Sequence, residues 1–250
     1  MWADAERAEL KQLWDLGTFE IVDAVPNGET VFDTKFVYKH KPECNGAPAR
    51  DKARIVVRNF KNDLFEDVFA PVCRVETFRM LMSALSEHPE WDLHHVDICN
   101  AFCTAPLEKP MYIRPPQRMI DDDPSLKGKF VKVSNALYGR TTSPRAFNKH
   151  LHSRLQSYGY EVSLADPSLY VKSDGRGVSF ILTYVDDLCF VGCHEHRVEF
   201  QKKINVNTNP ETGFKVRDYG VPDTFLGVEI CRKQHNVRLS QTKYLSLIHI

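Results

Sequence analysis

The clearest pattern in the sequence is an apolar run over residues 180–191 that two acidic residues interrupt. Gly177 and Gly192 bracket the run, and both of its halves are rich in β-branched and aromatic residues, which is typical of a buried β-hairpin. The interruption, Asp186-Asp187, is expected at the tip of the hairpin, although tight turns usually hold Asn-Gly or Asp-Gly. The pattern therefore predicts a tip that does more than turn the chain.

Other stretches also favour strands. Residues 31–41 and 53–60 alternate in the manner of two strands, and Asn45-Gly46 is a hairpin signal in the long connection between them. Residues 224–231 and 237–240 predict a closing hairpin.

Helical periodicity marks three further segments, the first of them over residues 3–16. In the third, Ser143 is expected to cap the first turn through its side chain and Pro144 to occupy the first helical position. Gly17 and Gly159 are expected to end the first and third helices. The predicted apolar faces are Leu10, Leu13 and Trp14; Phe78, Leu81, Met82 and Leu85; and Phe147, Leu151, Leu155 and Tyr158. Strands and helices together predict an α+β fold.

Composition sets looser bounds. The chain has 250 residues and 42% hydrophobic content, enough for one large domain or two lobes. Lys+Arg and Asp+Glu balance at 33 each, so net charge does not indicate nucleic-acid binding. The distribution is uneven, however, and one region holds Lys35, Lys39, Lys41, Arg50, Lys52, Arg54, Arg58 and Lys61. This region is either a face that follows a phosphate backbone or a solvated hairpin rim.

The cysteines and the apolar runs indicate the cellular setting. Seven cysteines, an odd number without regular spacing, favour reduced thiols and an intracellular protein. The first seven residues lack the basic and apolar regions of a signal peptide, and no apolar run approaches the roughly 20 residues of a membrane span. We therefore expect a soluble intracellular protein with no membrane partner.

The acidic tip has a second acid of similar character upstream, because Asp97 closes the short strand-like run 91–98. Two carboxylates about 4 Å apart repel by roughly 4 kcal/mol at an effective dielectric constant of 20, so a fold that holds them together usually holds a cation as well. Three carboxylates can bind two Mg²⁺ ions, which support in-line phosphoryl transfer. Nucleotidyl transfer is thus the leading chemistry, and a solvated Asp-Asp turn is the alternative.

A zinc site is a rival hypothesis. Cys189, Cys193, His194 and His196 have a plausible ligand spacing. Four ligands within eight residues on a strand and its exit would strain a tetrahedral site, and Cys189 lies in an apolar strand where cysteine behaves as a small hydrophobe. We therefore favour the core interpretation of Cys189.

Several motifs in their order and spacing resemble the reverse transcriptase of copia-type retrotransposons, a domain of a Pol polyprotein. The resembling segments are residues 52–56, 69–72, 96–102, 136–139, 184–187, 225–230 and 239–244. The resemblance implies an RNA-directed DNA polymerase, and a polymerase copying DNA is a weaker option. It also implies a right-hand fold in which fingers (about 1–72 and 105–142) and palm (about 73–104 and 143–240) interleave, with an antiparallel palm sheet packed on helices.

The resemblance also assigns residues to roles. Asp97, Asp186 and Asp187, with the main-chain carbonyl of Ile98, would bind two Mg²⁺ ions, for which Mn²⁺ is a substitute. Residues expected at the deoxynucleoside triphosphate are Lys52, Arg54, Phe102, Tyr138 and Gly139, with Phe102 excluding a ribose 2′-hydroxyl. Residues expected at the primer and its RNA or DNA template are Tyr184, Phe225, Leu226 and Gly227.

Some features depart from the family pattern. Residues 60–69 form a shorter stretch than usual, and residues 140–144 lack the family's customary lysine and glutamine. Residues 241–250 would be only the start of a thumb, and ribonuclease H and integrase segments are expected elsewhere in a parent polyprotein. The alternative to an active core is thus an inactive remnant that keeps the fold and some nucleic-acid binding. In the family, reverse transcription occurs in cytoplasmic particles and the product moves to the nucleus.

Overall fold

The computed structural model describes residues 2–43, 48–58, 68–233, 236–242 and 245–246. The chain forms two compact units, each built from two separate segments. Unit 1 comprises Met1–Ala70 and Asn100–His150, and unit 2 comprises Pro71–Cys99 and Leu151–Ile250. Both units combine sheets with helices, which confirms the predicted α+β class.

Unit 1 contains a five-stranded sheet. Its strands are β1 (Phe19–Val22), β2 (Val31–Lys41), β3 (Arg50–Arg58), β5 (Pro106–Ile113) and β6 (Phe130–Asn135). Their order is β1-β6-β5-β2-β3, and every neighbouring pair is antiparallel except β2 with β5. The predicted strand 31–41 is confirmed, whereas β3 begins three residues before the predicted Ala53. The Asn45-Gly46 signal and Phe60 lie outside the described residues.

The helices of unit 1 are α1 (Ala3–Asp15) and α3 (Gln117–Asp122), with short 3₁₀ turns at Ala101–Thr104 and Pro124–Leu126. Gly17 takes a φ of +65° directly after α1, and its amide donates to the carbonyl of Trp14, so the predicted stop is confirmed. The core comprises Leu10, Leu13, Phe19, Ile55, Val57, Cys103, Met111, Ile113, Met119, Val131, Val133 and Leu137.

One prediction for α1 was wrong. Trp14 is 41% exposed, while Glu6 and Glu9 are buried beside Leu10 and Leu13. Glu6 accepts a hydrogen bond from Arg118 at 2.7 Å, which compensates for its burial. The buried face of α1 therefore contains both acidic and apolar side chains. Apolar periodicity alone shifted the predicted face toward the C-terminus of the helix, because it included Trp14 and omitted Glu6 and Glu9.

Unit 2 contains a six-stranded antiparallel sheet. Its strands are β4 (Asp92–Ile98), β7 (Glu161–Val162), β8 (Leu169–Asp174), β9 (Gly177–Tyr184), β10 (Asp187–Gly192) and β11 (Val216–Gly220). They are ordered β11-β4-β10-β9-β8-β7. Gly177 begins β9 and Gly192 ends β10, as the sequence predicted. The central strands β4 and β10, whose ends carry the candidate acids, are thus neighbours.

Helices α2 (Val75–Glu87) and α5 (His194–Ile204) also belong to unit 2. The predicted stripe of α2 is confirmed, since all four of its apolar residues are buried. The four apolar residues of α2 join residues from the strands of unit 2 in one hydrophobic core. It comprises Cys73, Phe78, Leu81, Met82, Leu85, Leu93, Leu169, Leu182, Cys189, Val191, Phe225 and Ile230. This core packs beneath the sheet that carries the acids.

Helix α4 (Ser143–Ser157) spans the point where the chain passes from unit 1 to unit 2. Its predicted apolar stripe is buried, and Gly159 follows it with a φ of +90°. The predicted cap was wrong, because Ser143 is itself helical and its hydroxyl donates to the carbonyl of Leu137 at 2.5 Å.

A three-stranded sheet completes unit 2. It consists of β12 (Thr224–Phe225), β13 (Val228–Lys233) and β14 (Asn236–Ser240) in sequential order. The predicted single strand 224–231 is broken by a two-residue turn at Leu226 and Gly227, whose φ angles of +51° and +76° suit a tight hairpin. Among the residues described, none of the helices has the length and apolar character needed to cross a bilayer.

A candidate metal centre and candidate nucleotide-binding residues

The hairpin tip is formed by Val185 and Asp186, because Tyr184 and Asp187 are the last paired residues of β9 and β10. The tip of the hairpin therefore lies one residue earlier in the sequence than the predicted Asp186-Asp187. Val185 takes a φ of +56°, a left-handed conformation that β-branched residues rarely adopt. Such strain is found where the surrounding structure fixes a turn, and it frequently marks a functional site.

Four side chains lie in one row across four strands. Asp97 of β4 is directly opposite Asp187 of β10 on one side and Arg217 of β11 on the other. Asp187 is in turn opposite Tyr184 of β9. Directly opposed residues of antiparallel strands point to the same face, so the row Arg217, Asp97, Asp187, Tyr184 presents two carboxylates flanked by a cation and a 40% exposed phenol ring.

Main-chain hydrogen bonds hold the third acid beside this row. The amide of Ile98 donates to the carbonyl oxygen of Asp186 at 2.9 Å, which ties the end of β4 to the turn. On the other side of β4, the amide of Cys99 donates to the carbonyl of Lys215 at 2.8 Å. The structure therefore brings Asp97, Ile98, Asp186 and Asp187 together, as the sequence predicted.

The three carboxylates influence one another. Burial raises the pKa of Asp97 above its usual value, and the charges of Asp186 and Asp187 raise it further. Arg217 and His95 oppose this rise. The Nη1 of Arg217 lies 3.4 Å from Oδ2 of Asp97. A divalent cation would relieve the repulsion more completely than one partly exposed guanidinium.

His95 is the partner of Asp187. Its Nε2 lies 2.8 Å from Oδ1 of Asp187, and its ring stacks on Tyr219 with centroids 4.9 Å apart. A register shift in β11 between Asp218 and Gly220 places Tyr219 over the imidazole. Phe225 meets the same imidazole edge-on at 5.4 Å. Asp187 is thus held by a side chain that is itself fixed between two aromatic rings.

This arrangement offers only oxygen ligands at the tip, which suits Mg²⁺ or Mn²⁺ rather than zinc. In the described part of the chain, no group of three histidine, cysteine, aspartate or glutamate side chains is close enough together to bind a metal ion. Asp97 and Asp187 are instead engaged by Arg217 and His95. The donor set fits a divalent ion once Arg217 and His95 release the two carboxylates.

The residues of the rival zinc hypothesis are otherwise engaged. Cys189 is fully buried in β10, and burial raises the pKa of its thiol to about 12, which disfavours the thiolate that zinc requires. Both ring nitrogens of His196 have partners, with Ser179 at 2.8 Å and Asp174 at 2.9 Å. His194 pairs with Asp92 at 2.8 Å. The structure supports the core interpretation of Cys189.

The predicted nucleotide-contacting residues lie in unit 1. The guanidinium of Arg54 lies 4.7 Å above the ring of Tyr138, and Phe102 packs against the same ring with centroids 5.2 Å apart. The carbonyl of Tyr138 accepts from the amide of Val57 at 2.8 Å. Arg54, Tyr138 and Phe102 thus form one contiguous cluster.

Gly139 is required for this packing. It takes a φ of +94°, and a Cβ there would collide with the carbonyl oxygen of Val57 and the side chain of Val56. Lys52 precedes Arg54 by two residues on β3 and therefore projects from the same face of the strand.

The register of β2 and β3 collects most of the predicted basic region on one face. Lys39 is directly opposite Lys52, and Lys41 is directly opposite Arg50. Pairs of like charge in these positions destabilise a sheet unless an anion lies over them. We call this face the basic ribbon, and it consists of Lys35, Lys39, Lys41, Arg50, Lys52, Arg54 and Arg58. Lys61 lies outside the described residues.

The predicted primer-contacting residues divide into buried and exposed ones. Phe225 is 2% exposed and packs against Phe78 with centroids 5.6 Å apart, so its side chain belongs to the core. Leu226 and Gly227 form the turn that follows it, and Tyr184 is exposed at the end of β9. The β12–β13 hairpin therefore presents its turn, not the phenylalanine ring.

Sequence reasoning missed three residues of these sites. Arg217 and His95 became visible only through strand register, although His95 stands two residues before Asp97 and thus points to the same face of β4. The third is Glu9, which is 4% exposed. Burial raises the pKa of Glu9, while Lys52 and Arg54 oppose the rise. The signal in the sequence that could have identified Glu9 was the presence of an acidic residue on the apolar face of α1.

Comparisons with known proteins agree with these features. A family model described as reverse transcriptase (RNA-dependent DNA polymerase) matches residues 16–249. The chain is 27% identical over 248 residues to the Retrovirus-related Pol polyprotein from transposon RE1 of Arabidopsis thaliana and 26% identical over 250 residues to that from transposon TNT 1-94 of Nicotiana tabacum. Each match covers 98% of this chain but only 16% and 18% of the relatives, so the chain spans less than a fifth of their length.

Among solved structures, the chain is similar to a foamy viral protease-reverse transcriptase in complex with double-stranded DNA. The sequence identity is 16%, the TM-score is 0.46, and the match covers 98% of this chain and 37% of that one.

Proposed function

The chain belongs to the reverse transcriptase (RNA-dependent DNA polymerase) family, which confirms the predicted resemblance to copia-type retrotransposon enzymes and the polymerase-type fold. On this premise, we propose that it is the catalytic core of an RNA-directed DNA polymerase, which adds deoxynucleotides to a primer paired with a template. The observation that carries the proposal is the opposition of Asp97 and Asp187 on neighbouring strands, with Asp186 at the adjoining turn.

In this proposal Asp97, Asp186 and Asp187, together with the carbonyl of Ile98, bind two Mg²⁺ ions, with Mn²⁺ as a substitute. When bound, two such ions lower the pKa of an attacking hydroxyl and stabilise the charge on the leaving oxygen. The chain contributes fixed ligands, since main-chain hydrogen bonds and strand register hold the three acids where the central strands β4 and β10 meet the turn. Asp186→Asn removes one of these charges with little change in shape.

The cluster in unit 1 is proposed to bind the deoxynucleoside triphosphate. Arg54 and Lys52 supply fixed positive charge for the phosphates, where charge builds up during the reaction. Tyr138 holds the Arg54 guanidinium in place, and Gly139 allows the segment to lie against β3. The half-buried ring of Phe102 is proposed to lie beneath the sugar and to exclude a 2′-hydroxyl.

We propose that unit 1 corresponds to the fingers and unit 2 to the palm. Template and primer are the proposed macromolecular partners, with the basic ribbon following template phosphates and Tyr184, Phe225, Leu226 and Gly227 positioning the primer end. Phe225 acts through the hairpin it anchors, because its own ring is buried. Thumb, ribonuclease H and integrase segments of a parent polyprotein are further proposed partners, and cytoplasmic particles and the nucleus are the proposed locations.

The second candidate function is an inactive remnant that binds nucleic acid. The basic ribbon favours it as much as it favours an active core, because like-charge pairs such as Lys39 with Lys52 attract a polyanion whether or not catalysis occurs. The two candidates therefore differ in metal-dependent chemistry alone.

The experiment is primer extension on an RNA template with deoxynucleotides and Mg²⁺ or Mn²⁺. The unmodified chain is compared with Asp186→Asn and with Asp92→Asn, a matched change at the opposite end of β4. We expect extension by the unmodified chain and by Asp92→Asn, and a loss of about 100-fold or more in Asp186→Asn. Salt-sensitive binding of template-primer without extension by any of the three proteins would contradict the active core and favour the remnant.

A further inference from the structure

Arg217 is the side chain at the candidate metal centre that two-metal chemistry does not require. It lies on β11, directly opposite Asp97, and its Nη1 contacts Oδ2 of Asp97 at 3.4 Å. The sequence separates the two residues by 120 positions, so the contact is made by the fold and not by local sequence. Cys99 and Tyr219 are its other electrostatic neighbours.

The contact between Arg217 and Asp97 reduces the electrostatic repulsion among the three acids when no metal ion is bound. Asp97 is 17% exposed and lies beside Asp186 and Asp187, whose charges repel its own. A guanidinium carries a permanent charge and donates in a fixed plane to carboxylate oxygens. Arg217 therefore offsets part of this repulsion in the absence of a divalent ion.

The same carboxylate is a proposed metal ligand, so guanidinium and metal ion compete for it. Arg217 is 40% exposed and reaches Asp97 from the edge strand of the sheet, which leaves room for its side chain to move toward solvent. Because the three acids lie on strands and at a turn that main-chain hydrogen bonds fix, the arginine is the part that can leave.

We propose that Arg217 is a positioning residue that holds Asp97 in the metal-free chain and is displaced by the incoming divalent cation. It thereby keeps the site ordered before loading and weakens metal binding. This inference rests on the proposed function, since it takes Asp97 as a metal ligand. An ordinary cross-strand ion pair would share the geometry but would not oppose metal binding.

The size of the effect follows from exposure. Partly exposed ion pairs are worth at most about 1 kcal/mol, which corresponds to roughly a fivefold change in an equilibrium constant. Removing Arg217 is therefore expected to tighten Mn²⁺ binding by about two- to fivefold. A larger change in Mn²⁺ affinity would require an ion pair that is more deeply buried than the one between Arg217 and Asp97.

The test is calorimetric titration of Mn²⁺ into the metal-free chain, which reports binding without turnover. Arg217→Met removes the charge and keeps much of the side-chain volume, and Arg217→Lys keeps the charge. The matched control is Arg197→Met, because Arg197 pairs with Asp92 at 2.6 Å at the other end of the same strand. Circular dichroism establishes folding first, and Arg217→Gln replaces Arg217→Met if the latter does not fold.

We expect tighter Mn²⁺ binding in Arg217→Met, with Arg217→Lys and Arg197→Met close to the unmodified chain. A lower Mn²⁺ concentration for half-maximal extension should accompany it. Unchanged or weaker binding in Arg217→Met overturns the inference, and so does an unmodified chain that binds no Mn²⁺. Mn²⁺ binding that responds to Arg217 in a chain without extension activity would leave the inference standing and contradict the proposed polymerase function instead.

Discussion

Asp97 and Asp187 lie directly opposite each other on neighbouring antiparallel strands. Such like-charge pairs destabilise a sheet, and the raised pKa of Asp97, which burial and both neighbouring acids cause, is the electrostatic result. In the metal-free chain the paired ends of β4 and β10 are therefore less stable than their main-chain hydrogen bonds alone would make them. Stability and metal binding make opposite demands on the same residues.

Asp97→Asn is accordingly expected to stabilise the metal-free chain. A gain of roughly 1 kcal/mol would raise the melting temperature by about 2–4 °C in a chain of this size. Because the folded-state pKa of Asp97 is raised, its destabilising effect is complete at neutral pH and fades as the pH falls toward the ordinary value of 3.8. Thermal unfolding with a chelator at pH 7 and pH 4 measures both the gain and its decline.

The control for that experiment is Asp92→Asn on the same strand. Asp92 accepts from Arg197 at 2.6 Å and pairs with His194 at 2.8 Å, so its loss should lower the melting temperature. If Asp97→Asn also lowered the melting temperature at pH 7, Arg217 would be compensating the acids fully and the proposed conflict would not exist.

Phe102 is expected to control the choice of sugar. Its ring is held by Tyr138 at 5.2 Å and Phe147 at 6.2 Å, which restricts its movement away from a bound nucleotide. Phe102→Ala should raise ribonucleotide incorporation relative to deoxynucleotide incorporation by about tenfold or more, the scale at which pocket shape discriminates. Single-nucleotide extension with each sugar measures the ratio. Phe102→Tyr keeps the ring and serves as the control, and an equal ratio in the alanine variant would assign Phe102 to packing alone.

The basic ribbon should determine the salt dependence of nucleic-acid binding. In single strands, each phosphate contact contributes about 0.7 to the slope of log affinity against log salt concentration. Lys39 and Arg50 have no ion-pair partner in the ranges that the structure describes, so the double change to glutamine should reduce the slope by about 1.4. Fluorescence anisotropy with a single-stranded oligonucleotide at several salt concentrations measures the slope.

A matched double variant separates this effect from net charge. Lys132 and Lys149 pair with Glu20 at 2.7 Å and Glu108 at 2.6 Å. Their replacement by glutamine removes the same charge from the same unit but should leave the slope unchanged. Equal slopes in both double variants would mean that the ribbon attracts nucleic acid only through overall charge.

Glu199 should contribute acid-sensitive stability to unit 2. It contacts Lys172 at 2.9 Å, Arg176 at 2.9 Å and Lys203 at 2.7 Å. Burial alone would raise its pKa, but its interactions with these three cations lower the pKa of Glu199 to about 2. A lowered pKa means that the stabilisation is complete above the ordinary value of 4.5 and is lost as the pH falls toward about 2.

Glu199→Gln should therefore cost on the order of 2 kcal/mol at pH 7 and roughly half as much near pH 3. Urea unfolding at both pH values measures the difference. Glu195→Gln, an exposed change on the same helix, is the control and should have little effect. A cost for Glu199→Gln that did not depend on pH would point to lost packing instead of lost charge.

Local patterns in the sequence predicted the elements well where a residue's own neighbours decide its conformation. Gly177 and Gly192 mark the ends of the β9–β10 hairpin because glycine tolerates the backbone found there, with φ angles of +137° and +152°. The tip was misplaced by one residue because a β-branched valine at φ +56° is disfavoured locally. Pairing on both sides of the turn, and the bond from Ile98 to Asp186, impose it.

Long-range relationships could not be predicted. Arg217 meets Asp97 only through the register of two strands 120 residues apart. Glu9 interrupts an apolar stripe, and the charges that oppose the rise of its pKa come from Lys52 and Arg54 of β3. The acids of the candidate metal centre were found because two charges in an apolar run are a conflict that is visible in sequence alone.

The interleaving of the two units also constrains the order in which the chain can fold during synthesis. In unit 1, β2 pairs in parallel with β5, with Val31 opposite Tyr112. The residues of β4 lie between them in sequence but belong to the sheet of unit 2. A ribosome therefore releases β1, β2 and β3 well before the strands that separate β1 from β2. A translation product that stopped before residue 106 would leave the β2 edge without its partner β5, and one that stopped before residue 130 would leave β5 without β6. Such an edge is open to pairing with another chain, so incomplete synthesis of this protein carries a risk of aggregation that an uninterrupted domain would avoid.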